Sequence, residues 1–126
     1  MEQARKPSTN TNISINEESR LVFLNALPLN SIPKRAFSIN CVRISPFDIV
    51  EIAKDREIEN YIRHEGTTKL LSSLIDREIK PFAGLYSYQQ GDQLLIITLK
   101  KPIRGQETTE VNVDDIDAIY CKIGEW

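Results

Sequence analysis

Residue types that bind metals and cofactors are scarce in this chain. Its 126 residues include one histidine and two cysteines, and the cysteines, Cys41 and Cys121, lie far apart in the sequence. The chain has no Cys-x-x-Cys, no pair of histidines, no Walker loop, no Gly-x-Gly-x-x-Gly and no nucleophile elbow. We therefore expect a protein without a metal or cofactor, which keeps both cysteines as buried, reduced thiols inside a cell.

Long apolar segments are missing as well. The longest apolar runs, such as residues 94–97, are far shorter than the roughly 20 residues that a membrane span needs. The first 14 residues contain no hydrophobic core of a signal peptide. These absences predict a cytoplasmic protein that has no membrane partner.

An excess of positive charge is also absent. The chain has 16 basic and 18 acidic residues, so its formal net charge is −2. Proteins that bind duplex DNA usually carry a basic excess, and we therefore expect no duplex DNA partner. A few converging arginine and lysine side chains would still suffice to bind a small anionic ligand.

The composition is that of one globular domain. Apolar residues make up 40% of the chain and charged residues 27%, which is ordinary for a globular protein. The length allows a modest core. Residues 1–18 are polar and rich in serine, threonine and asparagine, so we expect a flexible N-terminal arm. Residues 19–126 then form a single domain.

Two strands are predicted at the start of this domain. Residues 21–24 are apolar on both faces, which predicts a central strand. Residues 25–33 contain two prolines, which exclude a continued central strand and predict a loop at its end, where open α/β sheets bind ligands. Residues 36–44 predict a second strand.

Two helices are predicted next. Ser45 and Pro46 are typical of a helix start, and we expect this helix to run to about residue 62. A second helix is expected to begin at Gly66 or Thr67, and its leucine and isoleucine residues form one core-facing stripe.

The last part of the chain predicts further strands. Residues 85–89 and 93–101 flank a Gln-Gly-Asp turn, which is a hairpin signal, and residues 117–123 form the last strand. The predicted fold class is therefore α/β, with a single mixed sheet of about five strands packed with two main helices.

The single histidine, His64, lies between the two predicted helices among groups that suit a phosphate. An imidazole in this position could move a proton near neutral pH. Arg63 supplies a positive charge, and the backbone N–H groups of Gly66 and Thr67 would favour an anion at the start of the next helix. The alternative is that His64 only caps the end of the preceding helix.

Three segments resemble segments of a known protein family. The loop after the first strand reads Asn-Ala-Leu-Pro-Leu-Asn, the segment around His64 reads Ile-Arg-His-Glu-Gly-Thr, and the penultimate strand is followed by Arg-Gly-Gln-Glu. They resemble the Asn-Ala-x-x-x-Asn, Ile-Gly-His-x-x-Thr and Arg-x-x-Glu motifs of the small ring nucleases of type III CRISPR systems, which include anti-CRISPR proteins of crenarchaeal viruses. The resemblance spans roughly residues 21–123.

The resemblance implies a homodimer that binds cyclic tetra-adenylate and cleaves it without a metal. A ribose 2′-OH would attack the adjacent phosphorus and leave linear products with a 2′,3′-cyclic phosphate, which would switch off type III CRISPR signalling. The implied catalytic residues are His64, as acid or base, together with Arg104 and Glu107. The expected ligand-binding residues are the two asparagines of the loop after the first strand, Asn25 and Asn30, and the groups beside His64, which are Arg63, Gly66 and Thr67.

Two positions depart from the family pattern. Arg63 replaces the glycine that usually precedes the histidine, and Phe82 and Ala83 stand where an Asn-Arg pair is often found. These departures leave open a protein that binds a cyclic oligonucleotide without cutting it, as a sensor or a sponge. A DNA-binding regulator is a further alternative, against which the acidic balance weighs.

Overall fold

The computed structural model describes residues 20–100 and 111–125. The predicted arm at residues 1–18 and the predicted catalytic residues Arg104 and Glu107 lie outside these described residues. The helices and strands of the described part are β1 (Leu21–Leu24), β2 (Phe37–Ile44), α1 (Asp48–Ala53), β3 (Ile58–Asn60), α2 (Glu65–Ile75), β4 (Gln93–Leu99) and β5 (Ile116–Glu125), with short 3-10 helices at Leu29–Ser31 and Val113–Asp115.

The five strands form one mixed sheet in the order β2-β5-β4-β1-β3. β1 runs parallel to both of its neighbours, β3 and β4, whereas β5 is antiparallel to β4 and to β2. The predicted α/β class, with one mixed sheet of five strands and two helices, is confirmed. The central position predicted for β1 is confirmed too, because all four of its side chains are buried. The dimeric state remains a prediction.

The sheet buries apolar side chains on both of its faces. Leu21 and Phe23 of β1 belong to the larger core cluster, which α1 and α2 cover. Val22 and Leu24 alternate with them and point to the opposite face, as the period of two in a strand requires. This second face is covered by loops rather than helices, and the covering side chains include Ile32, Tyr86 and Tyr88.

The helix predicted to reach about residue 62 is much shorter in the structure. α1 ends at Ala53, Lys54 is extended, and Asp55 adopts a left-handed conformation with φ 59°. The chain then forms β3, which pairs with β1 in parallel. A three-residue strand carries little local periodic signal, and its stabilisation comes from a partner more than thirty residues away in the sequence, so the prediction of a helix over this segment was wrong.

The predicted start signals of α1 make local hydrogen bonds, but the helix begins at Asp48, two residues later than predicted, and Ser45 is not its N-cap. The Asp48 carboxylate accepts a hydrogen bond from the Ser45 N–H at 3.0 Å, and the Ser45 hydroxyl accepts one from the Phe47 N–H at 3.1 Å. The two bonds satisfy the backbone N–H groups of Ser45 and Phe47, which lie just before α1.

The predicted hairpin is only half present. β4 begins at Gln93, but residues 85–89 are not a strand, and the fifth strand of the sheet is β3 instead. The turn before β4 does form, and Gly91 there has φ 90°, which a glycine adopts without strain. The Asp92 carboxylate accepts the Gln89 N–H at 3.0 Å, so a side chain rather than a strand ladder holds this segment.

The two cysteines are paired on neighbouring strands of the sheet. Cys41 on the edge strand β2 is in register with Cys121 on β5, and both are free thiols. Cys121 is buried as expected, whereas Cys41 is exposed, so the prediction of two buried thiols was wrong for Cys41. An edge strand has a neighbour on one side only, and this leaves Cys41 open to solvent.

Candidate functional site

The carboxyl ends of β1 and β3 bring two of the predicted site segments together. The strands are parallel, with Phe23 opposite Asn60, and the Tyr61 N–H donates to the Phe23 carbonyl at 2.9 Å. The chain leaves β1 into Asn25 and leaves β3 into Arg63 and His64. Open α/β sheets bind ligands beyond the carboxyl ends of their strands.

A cleft of about 340 Å³ opens at this edge of the sheet. Three segments line it: residues 24–28 after β1, Tyr61 and Arg63 after β3, and residues 83–86. Its size is that of a site for one small ligand. The predicted ligand-binding residues Asn25 and Arg63 thus lie in one cleft, although they are far apart in the sequence.

Arg63 is the only charged side chain that lines this cleft within the described ranges. It is exposed, and it makes no hydrogen bond or ion pair with any other residue of those ranges. Apart from Asn25 and the tyrosine hydroxyls, the other lining side chains are apolar. The cleft therefore offers apolar walls with one guanidinium that has no partner within residues 20–100 and 111–125, which suits a ligand that combines an uncharged ring with an anionic group.

His64 is the N-terminal cap of α2. Its Nδ1 accepts the Thr67 backbone N–H at 3.2 Å and lies 3.0 Å from the Thr67 Oγ1. The alternative of a cap at the end of a preceding helix is wrong, because β3 precedes His64 and the side chain caps the start of the helix that follows. The side chain is half-buried, and the contacts of Nδ1 leave Nε2 as the nitrogen that can meet a ligand.

The Thr67 hydroxyl gives the His64 ring two compatible protonation states. While Nδ1 accepts the Thr67 N–H it must offer a lone pair, so the neutral ring carries its proton on Nε2. When Nδ1 is protonated, the Thr67 Oγ1 at 3.0 Å is an acceptor for it. A single neighbouring residue can therefore hold the ring in place before and after a proton moves.

The first turn of α2 is less open to an anion than the sequence suggested. Gly66 and Thr67 are buried, and the Thr67 N–H is already bonded to His64. The Thr68 N–H donates to the His64 carbonyl at 3.1 Å. The Glu65 carboxylate lies in the same turn. Direct contact of a ligand with Gly66 or Thr67 remains a prediction.

The remaining predicted residues lie apart from the cleft or outside the described ranges. Asn30 is exposed in the 3-10 helix after β1 and does not line the cleft. Arg104 and Glu107, outside the described residues, follow β4 in the sequence. β4 is parallel to β1, so its carboxyl end lies at the same edge of the sheet as the cleft.

Three aromatic side chains at the cleft were not foreseen as site residues. The Tyr61 ring packs edge-on against Phe82 and against Tyr86, with 5.4 Å between ring centroids in both pairs. The sequence pattern placed Tyr61 on a helix, which hid its position beyond a strand end. Residues 58–62 read Ile-Glu-Asn-Tyr-Ile, and this segment has no alternation of apolar and polar residues that could have shown it.

A buried carboxylate holds one of these rings. Asp92 is 3% exposed, and it accepts two hydrogen bonds from Arg20, at 2.9 Å from Nε and 2.6 Å from Nη2. The Tyr86 hydroxyl donates to the same carboxylate. Burial, together with this bond to Asp92, raises the pKa of Tyr86 well above its usual range. The hydrogen bond to Asp92 likewise raises the pKa of Arg20.

A wider groove of about 660 Å³ runs along α2 against residues 77–81. Its charged lining side chains are of both signs, and Arg77 uses its guanidinium to bind the carbonyls of Ala53 and Arg56. Apart from the neighbouring first turn of α2, this groove contains none of the predicted site residues. The smaller cleft is therefore the better candidate for a ligand.

Two kinds of site are not found in the described part of the chain. No helix within residues 20–100 and 111–125 is long and apolar enough to cross a membrane. Over the same ranges, no group of three or more His, Cys, Asp and Glu side chains is placed to hold a metal ion.

Comparison with known proteins gives a family for this chain and solved structures of similar fold. A family model described as STIV B116-like matches residues 21–123. Among solved structures, B116 of Sulfolobus turreted icosahedral virus (STIV) is similar, with a TM-score of 0.65 and 17% sequence identity over 82% of this chain and 98% of that chain. At this identity the likeness shows the fold alone. No curated protein matches the chain.

Proposed function

We propose that this chain, which belongs to the STIV B116-like family, is a metal-independent ring nuclease that cleaves cyclic tetra-adenylate to linear products with a 2′,3′-cyclic phosphate. The observation that carries the proposal is that Asn25 and Arg63 line one cleft at the carboxyl ends of two parallel strands. His64 does not line the cleft itself but follows Arg63 directly in the chain. The sequence motifs that resemble small ring nucleases support it, since two of the three motifs meet at this edge.

The proposed reaction uses a nucleophile that the substrate supplies. A ribose 2′-OH attacks its own adjacent phosphorus, the bond to the 5′-oxygen breaks, and a free 5′-OH results. The protein must hold these oxygens in line, stabilise the charge on the phosphorus and move a proton. No serine, cofactor or metal is required for these steps.

His64 is the residue that moves a proton in this proposal. Its Nε2 is the nitrogen not engaged by Thr67. It takes the 2′-proton when the neutral ring carries its own proton on Nδ1, directed at the Thr67 Oγ1, or it protonates the leaving oxygen when the ring starts as the imidazolium. Positioned proton transfer of this kind contributes about 10²–10⁴-fold to a rate. The Thr67 hydroxyl keeps the ring oriented in both protonation states.

Arg63 is the residue that binds the phosphate. A planar guanidinium grips two nonbridging oxygens at once, and this one has no competing partner among the described residues. Asn25 bonds a base edge or a ribose hydroxyl. Asn30, Arg104 and Glu107 are further residues of the proposed site, in which Arg104 stabilises charge and Glu107 orients it or acts as the base.

A homodimer completes the proposal. A ring of four nucleotides has approximate two-fold symmetry, and a symmetric dimer presents each cleft and each His64 twice. The removal of a cyclic oligoadenylate signal would switch off type III CRISPR defence in the cytoplasm where that signal acts.

The test is a cleavage and binding assay with cyclic tri-, tetra- and hexa-adenylate in the presence of EDTA. We expect cleavage of the tetra-adenylate, its loss in His64→Ala with binding retained, and at least 10-fold weaker binding in Arg63→Ala. Arg43→Ala is the matched control, because Arg43 is an exposed arginine on β2 at the opposite edge of the sheet. Equal binding by Arg63→Ala and Arg43→Ala would remove Arg63 from the site.

Binding without cleavage is the second candidate. The engagement of His64 Nδ1 as a helix cap favours it, since a capping histidine has a structural role of its own. Tight binding of a cyclic oligoadenylate with no product after prolonged incubation at high protein concentration would select this sensor or sponge. A regulator that binds duplex DNA is the weakest alternative, given the net charge of −2.

A further inference from the structure

The apolar side of the cleft is built from aromatic rings. Tyr61 and Tyr86 both line it and pack edge-on against each other at 71°, and Phe82 packs against Tyr61 at 78° from outside the lining. Tyr61 is half-buried and keeps part of its surface open to the cleft, whereas Tyr86 is 6% exposed. We name the Tyr61 and Tyr86 pair the aromatic wall.

The aromatic wall is held by hydrogen bonds and not by a strand ladder. Residues 82–89 form no helix or strand. The Phe82 N–H donates to the Ile62 carbonyl at 3.0 Å, and the Tyr88 N–H donates to the Ser31 carbonyl at 3.1 Å. The bond from the Tyr86 hydroxyl to Asp92 fixes the ring between these two points.

Asp92 in turn is fixed by Arg20. The guanidinium binds both carboxylate oxygens, and its centre also lies 5.9 Å from the centroid of the Tyr86 ring. Arg20 therefore contacts the tyrosine both through the carboxylate and through the ring face. A chain of contacts leads from Arg20 at the start of β1 to the wall of the cleft.

The geometry points to the aromatic wall as a nucleobase subsite, with Tyr61 and Tyr86 contacting an adenine ring and Asp92 and Arg20 acting as positioning residues through Tyr86. This inference rests on the proposed function and deepens it by assigning the base. A planar ring gains from an aromatic wall, and its phosphate then meets Arg63 at the same cleft. Purines, with the larger ring face, stack more strongly than pyrimidines.

The test compares cyclic tetra-adenylate with cyclic tetra-uridylate in the uncleaving His64→Ala background. We expect Tyr61→Leu to weaken adenylate binding about 10-fold or more and uridylate binding less, so that the preference for adenylate falls. Asp92→Asn lowers the same preference by a smaller factor. Phe47→Leu is the control, because Phe47 is an exposed aromatic residue at the start of α1 and outside the cleft.

A second measurement uses the unaltered protein and does not depend on a variant that folds. Tyrosine ring signals are followed by NMR during titration with adenosine 5′-monophosphate and, separately, with inorganic phosphate. We expect the Tyr61 signals to shift with the nucleotide and not with phosphate, because only the nucleotide brings a ring to the wall.

The outcomes separate this inference from the proposed function. Equal weakening of both ring ligands by Tyr61→Leu, or weakening no greater than in Phe47→Leu, overturns the aromatic wall while the ring nuclease stands. A Tyr61 shift with the nucleotide, but no binding of any cyclic oligoadenylate, supports the wall and removes the ring nuclease. No shift and no binding overturns both.

Discussion

Replacement of Asp92 by asparagine should lower the free energy of unfolding more than removal of any other single charged side chain near the ends of the strands. The Asp92 carboxylate is 3% exposed and accepts four hydrogen bonds, from two N–H groups of Arg20, the Tyr86 hydroxyl and the Gln89 N–H. The amide side chain of the Asp92→Asn variant would keep one acceptor oxygen, lose the charge and place an NH₂ group against these donors.

The magnitude follows from the partners that are left unsatisfied. Loss of one partner of a buried ion pair costs about 3–5 kcal/mol, and a hydrogen bond to a charged group is worth about 1.5–3 kcal/mol. The Arg20 side chain is 24% exposed, so water offsets part of its loss. We therefore expect a decrease in the free energy of unfolding of about 2–4 kcal/mol, against a total of about 5–15 kcal/mol for a typical domain.

The assay is urea denaturation, in which such a loss lowers the midpoint by on the order of 1–2 M. Asp117→Asn is the matched control, since Asp117 is partly exposed and meets Arg43 only at 3.8 Å; it should change stability by no more than about 0.5 kcal/mol. A loss in Asp92→Asn below about 1 kcal/mol, or one equal to the control, would refute the reasoning.

Three further predictions concern the Tyr86 hydroxyl, the two cysteine thiols and the His64 cap. Burial and the bond to Asp92 raise the pKa of Tyr86, so the stability that its neutral hydroxyl contributes is complete below about pH 10 and is lost as pH rises further. Tyr86→Phe should therefore lose less free energy of unfolding between about pH 10 and 11 than the parent protein, and an equal loss would contradict this. Only the Cys41 thiol should react with a thiol reagent in the folded protein, whereas both thiols should react after denaturation, because Cys121 is buried and burial raises its pKa. Rapid reaction of both thiols in the folded protein would contradict this prediction. His64→Ala should lower the free energy of unfolding by about 1 kcal/mol through loss of the N-cap bond to Thr67, measured by thermal denaturation, and an unchanged melting temperature would show that the cap adds nothing.

The parts of the fold that local patterns specify were predictable. β1 is apolar at every position, which requires burial on both faces, and it lies inside the sheet as expected. The stripe on α2 includes Leu71, which is fully buried. The region in which α1 starts followed from Ser45 and Pro46, although the helix itself begins two residues later than predicted, at Asp48.

The parts that depend on distant partners were not predictable. β3 is three residues long and exists because β1 pairs with it, so the same residues looked like the continuation of a helix. The bond between Arg20 and Asp92 joins residues 72 positions apart, and no local pattern marks it. The aromatic wall could therefore not be predicted, although Asn25 and Arg63, which lie beside it, were predicted as ligand-binding residues.

The most direct test of the central claim is the fate of cyclic tetra-adenylate incubated with the purified full-length protein in EDTA, with products separated by chromatography. We predict linear products that end in a 2′,3′-cyclic phosphate, and no products from His64→Ala at the same protein concentration. Intact substrate after prolonged incubation with the parent protein, or cleavage by His64→Ala at the parent rate, would contradict the proposed function.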